Sequence, residues 1–362
     1  MSTAILESSA DANDTNSEKT GTSTDAIAHF VGDLSDTLTE AIDQINDVNS
    51  NTHLLALNAR IEAARAGQSG AAFSVVAQEM QNLSGKTAEI ANSMANRTKS
   101  SIDDLLEVIG SSVRGGRLSD MALTNIDLID RNLYERTCDV RWWATDSSLV
   151  DALTDNTDEA YEYASHRLGV ILSAYTVYHD LVLCDLDGRI VANGKPSEFK
   201  SIGQVVDSAE WFRSAKQTRT GDEYGFETAH NSDLVNDNSV VGYSCGVRKN
   251  GRCNGELIGV LGIFFNWEEF AQSIMAQTPL SESEKTTTRC CICNDEGLIL
   301  ADSWGHQLQE HIELNNREVI FAQEKNYLID SYDGKPACIA HAKAPGFETY
   351  TTGWHSLVIQ SV

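Results

Sequence analysis

The sequence predicts an α+β protein in which an N-terminal antiparallel helical hairpin is followed by a long helix and two antiparallel β-sheet modules. Three observations predict this class. Apolar and small residues recur at spacings of three and four over the first hundred residues, which is typical of coiled-coil helices. Beyond residue 180 the apolar period shortens to two, which is typical of strands. A strand–turn–strand pattern then occurs in two copies.

The two arms of the hairpin mirror each other about the point between Gly67 and Gln68. On each arm the apolar positions keep one stripe facing a partner helix. The paired positions are Leu55 with Met80, Thr52 with Leu83, Val48 with Thr87, Ile45 with Ile90, and Ala41 with Met94. Because a two-helix hairpin buries only one seam and is marginal alone, we expect a dimer that forms a four-helix coiled-coil bundle.

The composition excludes several classes of protein. A net charge of −26 leaves no concentrated basic surface, so binding to nucleic acid or to anionic membranes is not expected. No window holds the roughly 20 uncharged apolar residues of a membrane helix, and the first residues lack the pattern of a secretion signal. We therefore expect a cytoplasmic protein without direct membrane insertion, whose eight cysteines are reduced thiols.

Composition and periodicity divide the chain into five segments. They are a disordered N-terminus (1–24), the hairpin (25–110), a glycine-containing linker (111–117), a first sheet module with a long N-terminal helix (118–277) and a second sheet module (278–362). The adjacent Gly115 and Gly116 make the linker a candidate hinge.

The turn of the hairpin carries the most informative motif, LLALNARIEAARAGQSGAAFSVVAQEMQNLS at residues 54–84. Asn58, Glu62 and Arg65 follow one another at four and three residues and therefore share one helical face. Two glycines release the backbone where the chain must reverse. Taken alone, this pattern fits a capped turn in an inert coiled coil as well as a docking surface.

The motif closely resembles the signalling tip of methyl-accepting chemotaxis proteins, the bacterial chemoreceptors. In that family the tip packs receptor dimers into trimers and binds the histidine kinase CheA and its coupling protein CheW. The resemblance implies a trimer contact at Asn58, Glu62 and Arg65. It also implies a contact with the coupling protein and kinase around Gln68, Val75 and Val76.

The tip departs from the family pattern at His53, Gln68 and Ala71, where the family usually has Asn, Glu and a basic residue. These changes weaken a charge pattern and therefore bear on the strength of kinase coupling. The arms are also shorter than those of family members, whose reversible glutamyl methylation occurs farther from the tip. We therefore expect no standard adaptation sites and no HAMP-like linker.

The C-terminal half begins with helices and continues with strands. Apolar spacing predicts a long helix from Leu118 to about Leu153 and a second helix from about Asp158 to His179. Two strand–turn–strand copies follow, and superposing Gly188 on Gly297 places Cys184 on Cys293. The predicted strands and turns lie at 181–193, 239–247, 257–265, 289–302, 327–343 and 354–360, with a short helix at 211–218.

This order of elements resembles a double Cache sensor domain, in which two PAS-like modules follow a long helix; tandem PAS or GAF modules are the alternative. In double Cache domains an aromatic pair covers the ligand of the first module, and Trp211-Phe212 match that pair. Amine-recognising members also have an Arg two positions before the Trp and an Asp in the final strand. Here Ala209 and the acid-free strand LIGVLGIFF stand at those places, so recognition of an amino acid in that manner is not expected.

Without a charged clamp, we expect a ligand pocket of aromatic and small polar groups. The candidate ligand-binding residues are Trp211, Phe212, Tyr224, Tyr243 and Cys245, and ordinary core packing is the alternative for each.

Three cysteines, Cys290, Cys291 and Cys293, crowd one predicted strand. Strand alternation places Cys290 on the opposite face from the other two, so at most two could share a metal. The spacing is not that of a zinc ribbon, and buried packing is the main interpretation. His306 and His311 are expected on the surface. The sequence contains no catalytic signature, so we expect no enzyme, no cofactor and no metal.

The sequence therefore predicts a soluble cytoplasmic chemoreceptor that senses a small molecule through its C-terminal modules and regulates CheA through the hairpin tip. It would act as a homodimer, with assembly into trimers of dimers and recruitment to receptor arrays as further expectations. Two alternatives stay open: a cysteine-based redox or metal sensor with the same output, and a structural adaptor of receptor arrays that senses nothing.

Overall fold

The computed structural model describes residues 18–361, which fall into two compact units that divide between Val113 and Arg114. The first elements are helix α1 (Glu18–Arg65), a 3-10 turn (Gly67–Gly70) and helix α2 (Ala71–Trp143). Gly67 has φ +59°, a left-handed conformation that glycine adopts freely, and the chain reverses there. Of the segment predicted to be disordered, residues 1–17 lie outside the described residues, whereas residues 18–24 are helical.

The two arms of the hairpin run antiparallel and exchange hydrogen bonds. Asn49 Nδ2 donates to the Ser84 carbonyl at 2.8 Å, and Ser84 Oγ donates to the Asn49 carbonyl at 3.1 Å. Farther toward the turn, Arg60 donates to Gln81 Oε1. These contacts set the register between α1 and α2.

The seam between the arms is made of small residues, not of the predicted pairs. The residues buried there are spaced by seven or fourteen positions and, apart from Ile42, are small: Ile42, Ala56, Ala63, Gly70, Ala77, Ser84 and Ala91. Leu55, Leu83 and Ile90, which we predicted in this seam, are 64%, 64% and 67% exposed. The predicted seam was wrong because small side chains let the two backbones approach closely: a Cβ at Gly70 would clash with the Ala63 carbonyl.

The larger apolar residues form a separate surface stripe on the hairpin, which we name the outer stripe. Its members are Ile45, Val48, Leu55, Met80, Leu83, Ile90 and Met94, each 39–67% exposed. Both arms contribute to it, since one open groove is lined by Ile45 and Val48 from α1 and by Leu83 from α2. A single chain therefore leaves this apolar surface uncovered.

The predicted linker is helical, because residues 111–117 lie within α2. The two glycines have different surroundings. A Cβ at Gly115 would clash with the ring of Tyr327, whereas the corresponding space at Gly116 is open. Gly115 is therefore explained by a close contact within the second unit, and the hinge interpretation of this segment is corrected.

The second unit contains the end of α2, then α3 (Ser147–Asp155) and α4 (Asp158–Ala174). The long helix that we predicted to reach Leu153 ends at Trp143 instead. Asp146 caps α3 by accepting a hydrogen bond from the Ser148 N–H at 2.9 Å, and so starts a new helix in a new direction.

Two five-stranded antiparallel sheets follow, which confirms the predicted class of long helices and two antiparallel sheets. The first has the order β2-β1-β5-β4-β3 and consists of β1 (Tyr178–Cys184), β2 (Ile190–Asn193), β3 (Gly225–Ser232), β4 (Asn238–Arg248) and β5 (Leu257–Asn266). The second has the order β7-β6-β10-β9-β8 and consists of β6 (Thr288–Cys293), β7 (Ile299–Asp302), β8 (Lys325–Tyr332), β9 (Lys335–Lys343) and β10 (His355–Ser361).

Four short helices complete the unit: α5 (Glu210–Lys216), α6 (Trp267–Gln277), α7 (Glu282–Lys285) and α8 (Arg317–Phe321). Strand β3 was not predicted, because GFETAHNS shows no clear apolar alternation. Helix α6 was not predicted either, and its Trp267 Nε1–H donates to the Leu300 carbonyl at 2.7 Å, which ties the first module to the second sheet.

One face of each sheet packs on the helices in a shared core that includes Leu133 of α2, Tyr243 of β4 and Val358 of β10. The opposite face of each sheet has its own apolar cluster, one around Trp211 and one around Cys291 and Cys293. These opposite faces are named the outer faces of the first and second sheets.

The internal repeat is confirmed in the strand register. Cys184 pairs with Ile190 in the first sheet, and Cys293 pairs with Ile299 in the second. The two thiols occupy equivalent places in the two outer-face clusters, and Cys290 lies on the other face, as alternation predicted.

Candidate signalling tip and sensor faces

The hairpin turn presents a charged surface. Glu62 and Arg65 form an ion pair at 2.8 Å while their side chains stay 69% and 74% exposed. Asn58, one turn earlier on α1, is also exposed. An exposed pair of this kind contributes only a few tenths of a kcal/mol to folding, so the arrangement leaves both charges available to a partner.

The start of α2 presents an apolar surface beside the turn. Phe73, Val75 and Val76 are 74%, 70% and 59% exposed, and Gln68 in the turn is exposed as well. Three large apolar side chains exposed within four residues form an apolar patch of the kind that marks an interaction site. All six tip residues singled out in the sequence are therefore accessible.

Trp211 and Phe212 lie together on the outer face of the first sheet, where both are buried. The Trp211 ring packs edge-on against Phe264 at 5.6 Å between centroids. It also lies so close to the backbone that a Cβ at Gly262 would be 2.6 Å from the ring. The ring therefore fills the space directly above β5 at Gly262.

Tyr243 and Cys245 lie on the opposite face of the same sheet from Trp211. Their neighbour Tyr224 is half-buried, with its ring centroid 6.5 Å from that of Tyr243. The five predicted ligand residues therefore do not converge on one pocket, because α5 holds Trp211 and Phe212 on one face of the first sheet while Tyr243 and Cys245 of β4 point to the other. Cys245 donates weakly to the Glu223 carbonyl at 3.6 Å, and burial raises the pKa of its thiol to about 11.

A broad open cleft of about 900 Å³ lies between α4 and the loops around β2. Glu162, His166 and Arg189 contribute charged or titratable groups to it. None of the five predicted ligand residues lines this cleft.

Burial governs the chemistry of the cysteine strand. It raises the pKa of the Cys290 thiol to about 11 and that of Cys293 to about 12, and it raises the pKa of Cys291 well above its ordinary value. A thiol held protonated is a poor nucleophile and a poor metal ligand. Within residues 18–361 we find no group of three or more His, Cys, Asp or Glu side chains arranged to hold a metal ion. His306 and His311 are exposed, as predicted.

A buried polar pair next to each outer face was missed in the sequence. In the first module Asn193 Nδ2 donates to Asp180 Oδ2 at 2.8 Å, and burial raises the pKa of Asp180 to about 6. In the second module Arg289 Nη2 lies 2.6 Å from Asp302 Oδ2. The internal repeat could have revealed these pairs, because superposing its two copies aligns Asp180 with Arg289 and Asn193 with Asp302. The acceptor of the first pair thus stands where the second pair has its donor, and the donor where the second pair has its acceptor.

In a comparison with known proteins, a family model matches the part of the chain that contains the hairpin turn. Residues 3–123 match the methyl-accepting chemotaxis protein (MCP) signalling domain. The chain is 42% identical over 74 residues to the methyl-accepting chemotaxis protein Amb0994 of Paramagnetospirillum magneticum, which is 20% of this chain and 17% of that protein. It is 36% identical over 108 residues to the biofilm dispersion protein BdlA of Pseudomonas aeruginosa, which is 27% of this chain and 26% of that protein. The matches thus span about a quarter or less of these relatives.

Solved structures resemble this chain in fold over about two thirds of its length. The sensory domain of the Campylobacter jejuni chemoreceptor Tlp3 (CcmL) matches with a TM-score of 0.52 and 15% identity, over 69% of this chain and 94% of that one. The sensor domain of the Vibrio cholerae histidine kinase DctB matches with a TM-score of 0.51 and 12% identity, over 69% of this chain and 96% of that one.

Among the helices of the described residues, none is long and apolar enough to cross a membrane. Residues 3–123 thus match an MCP signalling domain, the chain has chemoreceptor homologues, and its structural neighbours include the sensory domain of a chemoreceptor.

Proposed function

We propose that this chain is a chemoreceptor that binds a small molecule in its C-terminal unit and regulates CheA through CheW at the hairpin tip. The observation that carries the proposal is the accessible tip, where the exposed Glu62–Arg65 pair adjoins the exposed Val75 and Val76.

In this proposal the hairpin works as a homodimer. The outer stripe supplies the interface, since its larger apolar side chains follow both arms and are uncovered in a single chain. Packing two stripes together would complete a four-helix bundle around a second seam.

The two sides of the tip divide the contacts. Asn58, Glu62 and Arg65 are proposed to meet neighbouring dimers in a trimer of dimers. Gln68, Val75 and Val76 are proposed to meet the coupling protein and kinase. This division is supported by the exposed Glu62–Arg65 ion pair at the end of α1 and by the exposed Val75 and Val76 near the start of α2.

Helix α2 is the proposed route of the signal, because residues 111–117 are helical and so provide no break between the hairpin and sensor segments of that helix. A ligand can bias the tip only by its differential affinity for two states, which is about 1 to 3 kcal/mol in typical allosteric couplings. The proposed location is the cytoplasm, where CheA would be met, with recruitment to receptor arrays.

The cysteine-based alternative receives no support from the site, since Cys290, Cys291 and Cys293 are buried thiols with raised pKa values. The adaptor alternative differs from our proposal in its prediction for ligands: an adaptor would join CheA and CheW but bind no small molecule saturably.

Co-sedimentation of the full chain with purified CheA and CheW tests the tip assignment. We expect the wild type to enter the complex and Val75→Asp to be lost from it, because a charge would replace an apolar contact. Glu107→Lys, a charge change at an exposed position far from the turn on α2, is the matched control and should enter like the wild type. Equal sedimentation of Val75→Asp and wild type would refute the assignment.

A further inference from the structure

A recess of about 390 Å³ lies at the C-terminal end of α2, away from the outer face that holds Trp211. It is enclosed by the last turns of α2, the loop before β3, the end of β4 and the loop between β4 and β5. Its lining includes three arginines, Arg141, Arg248 and Arg252, and a single carboxylate, that of Asp222. Such a concentration of positive charge is unexpected in a chain with a net charge of −26.

Arg248 is the buried arginine of this recess. The residue is 7% exposed, and its guanidinium donates to the Gly255 carbonyl at 3.0 Å and the Thr218 carbonyl at 2.7 Å. Its buried Nε–H has no hydrogen-bond partner among the described residues. A buried charge with neutral acceptors and one unpaired donor carries a large desolvation cost, which an anion in the recess would offset.

Arg141 reinforces the positive field. Its Nε donates to the Thr137 carbonyl at 2.8 Å and its Nη1 to the Asp222 carbonyl at 3.4 Å, so these acceptors are backbone oxygens. The guanidinium also lies over the Tyr224 ring, 5.7 Å from the centroid. Within the described residues, neither Arg141 nor Arg248 forms an ion pair with a carboxylate.

Asp222 forms no ion pair with these arginines within the described residues, and its carboxylate Oδ2 accepts a hydrogen bond from the Cys253 thiol at 2.9 Å. It does influence which anion fits, since its negative charge disfavours a compact dianion such as phosphate. The rest of the lining is largely apolar and includes Trp142, Ala144 and Cys245, which suits a short carbon skeleton.

We propose that this recess binds a small organic carboxylate, with Arg141 and Arg248 as the groups that hold its oxygens. A planar guanidinium matches a carboxylate in two parallel hydrogen bonds, and such charge-assisted bonds are strong in a partly buried site. Arg252, which is exposed at the mouth, adds long-range attraction.

Isothermal titration of the full chain with acetate, succinate, citrate and inorganic phosphate tests the proposal. We expect saturable binding of at least one of the three carboxylates. Arg141→Gln and Arg252→Gln should each weaken it, the former by about tenfold or more, as loss of a charge-assisted hydrogen bond implies. Arg213→Gln, an exposed arginine of α5 outside the recess, is the matched control and should bind like the wild type.

Cys253 provides a second readout. Of the eight cysteines, all within the described part of the chain, it alone is exposed, and it lines the recess. The bound carboxylate should slow alkylation of this thiol, and should no longer do so in Arg141→Gln.

Saturation by none of the three carboxylates would overturn the proposal, as would binding that Arg141→Gln and Arg252→Gln leave unchanged, or binding of phosphate alone. Because neither readout uses CheA, the result is independent of whether the tip regulates the kinase.

Discussion

The phenol oxygens of Tyr243 and Tyr350 lie 2.7 Å apart in the core of the second unit (Arg114–Val362), which we call the sensor unit after its proposed role. Tyr243 belongs to β4 of the first sheet, and Tyr350 lies in the loop that leads into β10 of the second. Burial raises the pKa of both phenols well above the ordinary value, so the bond joins two neutral hydroxyls. Tyr243, a ligand candidate in the sequence, thus links the two sheet modules.

A double-mutant cycle at this pair measures the link. Tyr243→Phe and Tyr350→Phe should each lower the free energy of unfolding of the sensor unit by about 1 to 3 kcal/mol, because each leaves a buried hydroxyl without its partner. The double variant should lose less than the sum of the two, since neither hydroxyl remains. Chemical denaturation gives these values, with Tyr163→Phe at an exposed position as the control. Additive losses would show that the bond contributes no coupling.

The adjacent glycines of α2 should respond in opposite directions to alanine. Gly115→Ala should destabilise the sensor unit by about 1 to 3 kcal/mol, because its Cβ would meet the Tyr327 ring. Gly116→Ala should stabilise the helix by up to about 1 kcal/mol, since its Cβ meets open space. Thermal unfolding of the two variants decides this, and a similar shift of both in one direction would contradict the described packing.

Two buried histidines should make the sensor unit less stable in acid. His341 Nε2 lies 2.8 Å from His355 Nδ1, and burial with the neighbouring His355 lowers the pKa of His341 to about 3. An imidazole with a lowered pKa stabilises the fold fully above its unfolded pKa of about 6.5, and this stability is lost as the pH falls below that value. Between pH 7.5 and 5.5 the loss from His341 is about 1 kcal/mol.

The comparison that isolates this effect is between wild type and His341→Asn at the two pH values. Asp180 titrates in the opposite sense, because burial raises its pKa to about 6 and protonation there favours the fold, but it is common to both proteins. The wild type should lose more stability on acidification than His341→Asn. An identical pH dependence would mean that His341 is not held neutral.

The sequence predicted those features that repeat locally. Heptad spacing and Gly67 predicted the hairpin, and the aligned turns predicted two equivalent sheets. The sequence did not predict which residues form the seam between the two arms of one chain. Alanines such as Ala56 and Ala77 contribute little to an apolar pattern, yet they let the two helix backbones approach most closely. The recess around Arg248 also escaped notice, since its residues come from separate segments and only the folded chain brings them together.

The two stripes of the hairpin predict separable effects on assembly. Leu83→Asp in the outer stripe should lower the molar mass in solution from dimer to monomer while the helical circular dichroism stays near that of the wild type. Asn82→Asp adds the same charge at the adjacent exposed position and should remain dimeric. Light scattering after size-exclusion chromatography distinguishes the two, and a dimeric Leu83→Asp would exclude the outer stripe as the interface.

The rate of CheA autophosphorylation in the presence of CheW tests the central claim most directly. Addition of the full chain should change that rate at least about fivefold, the lower end of typical allosteric coupling, and Val75→Asp should abolish the change while Glu107→Lys retains it. A wild-type chain that enters the complex with CheA and CheW but leaves the kinase rate unaltered would contradict the account.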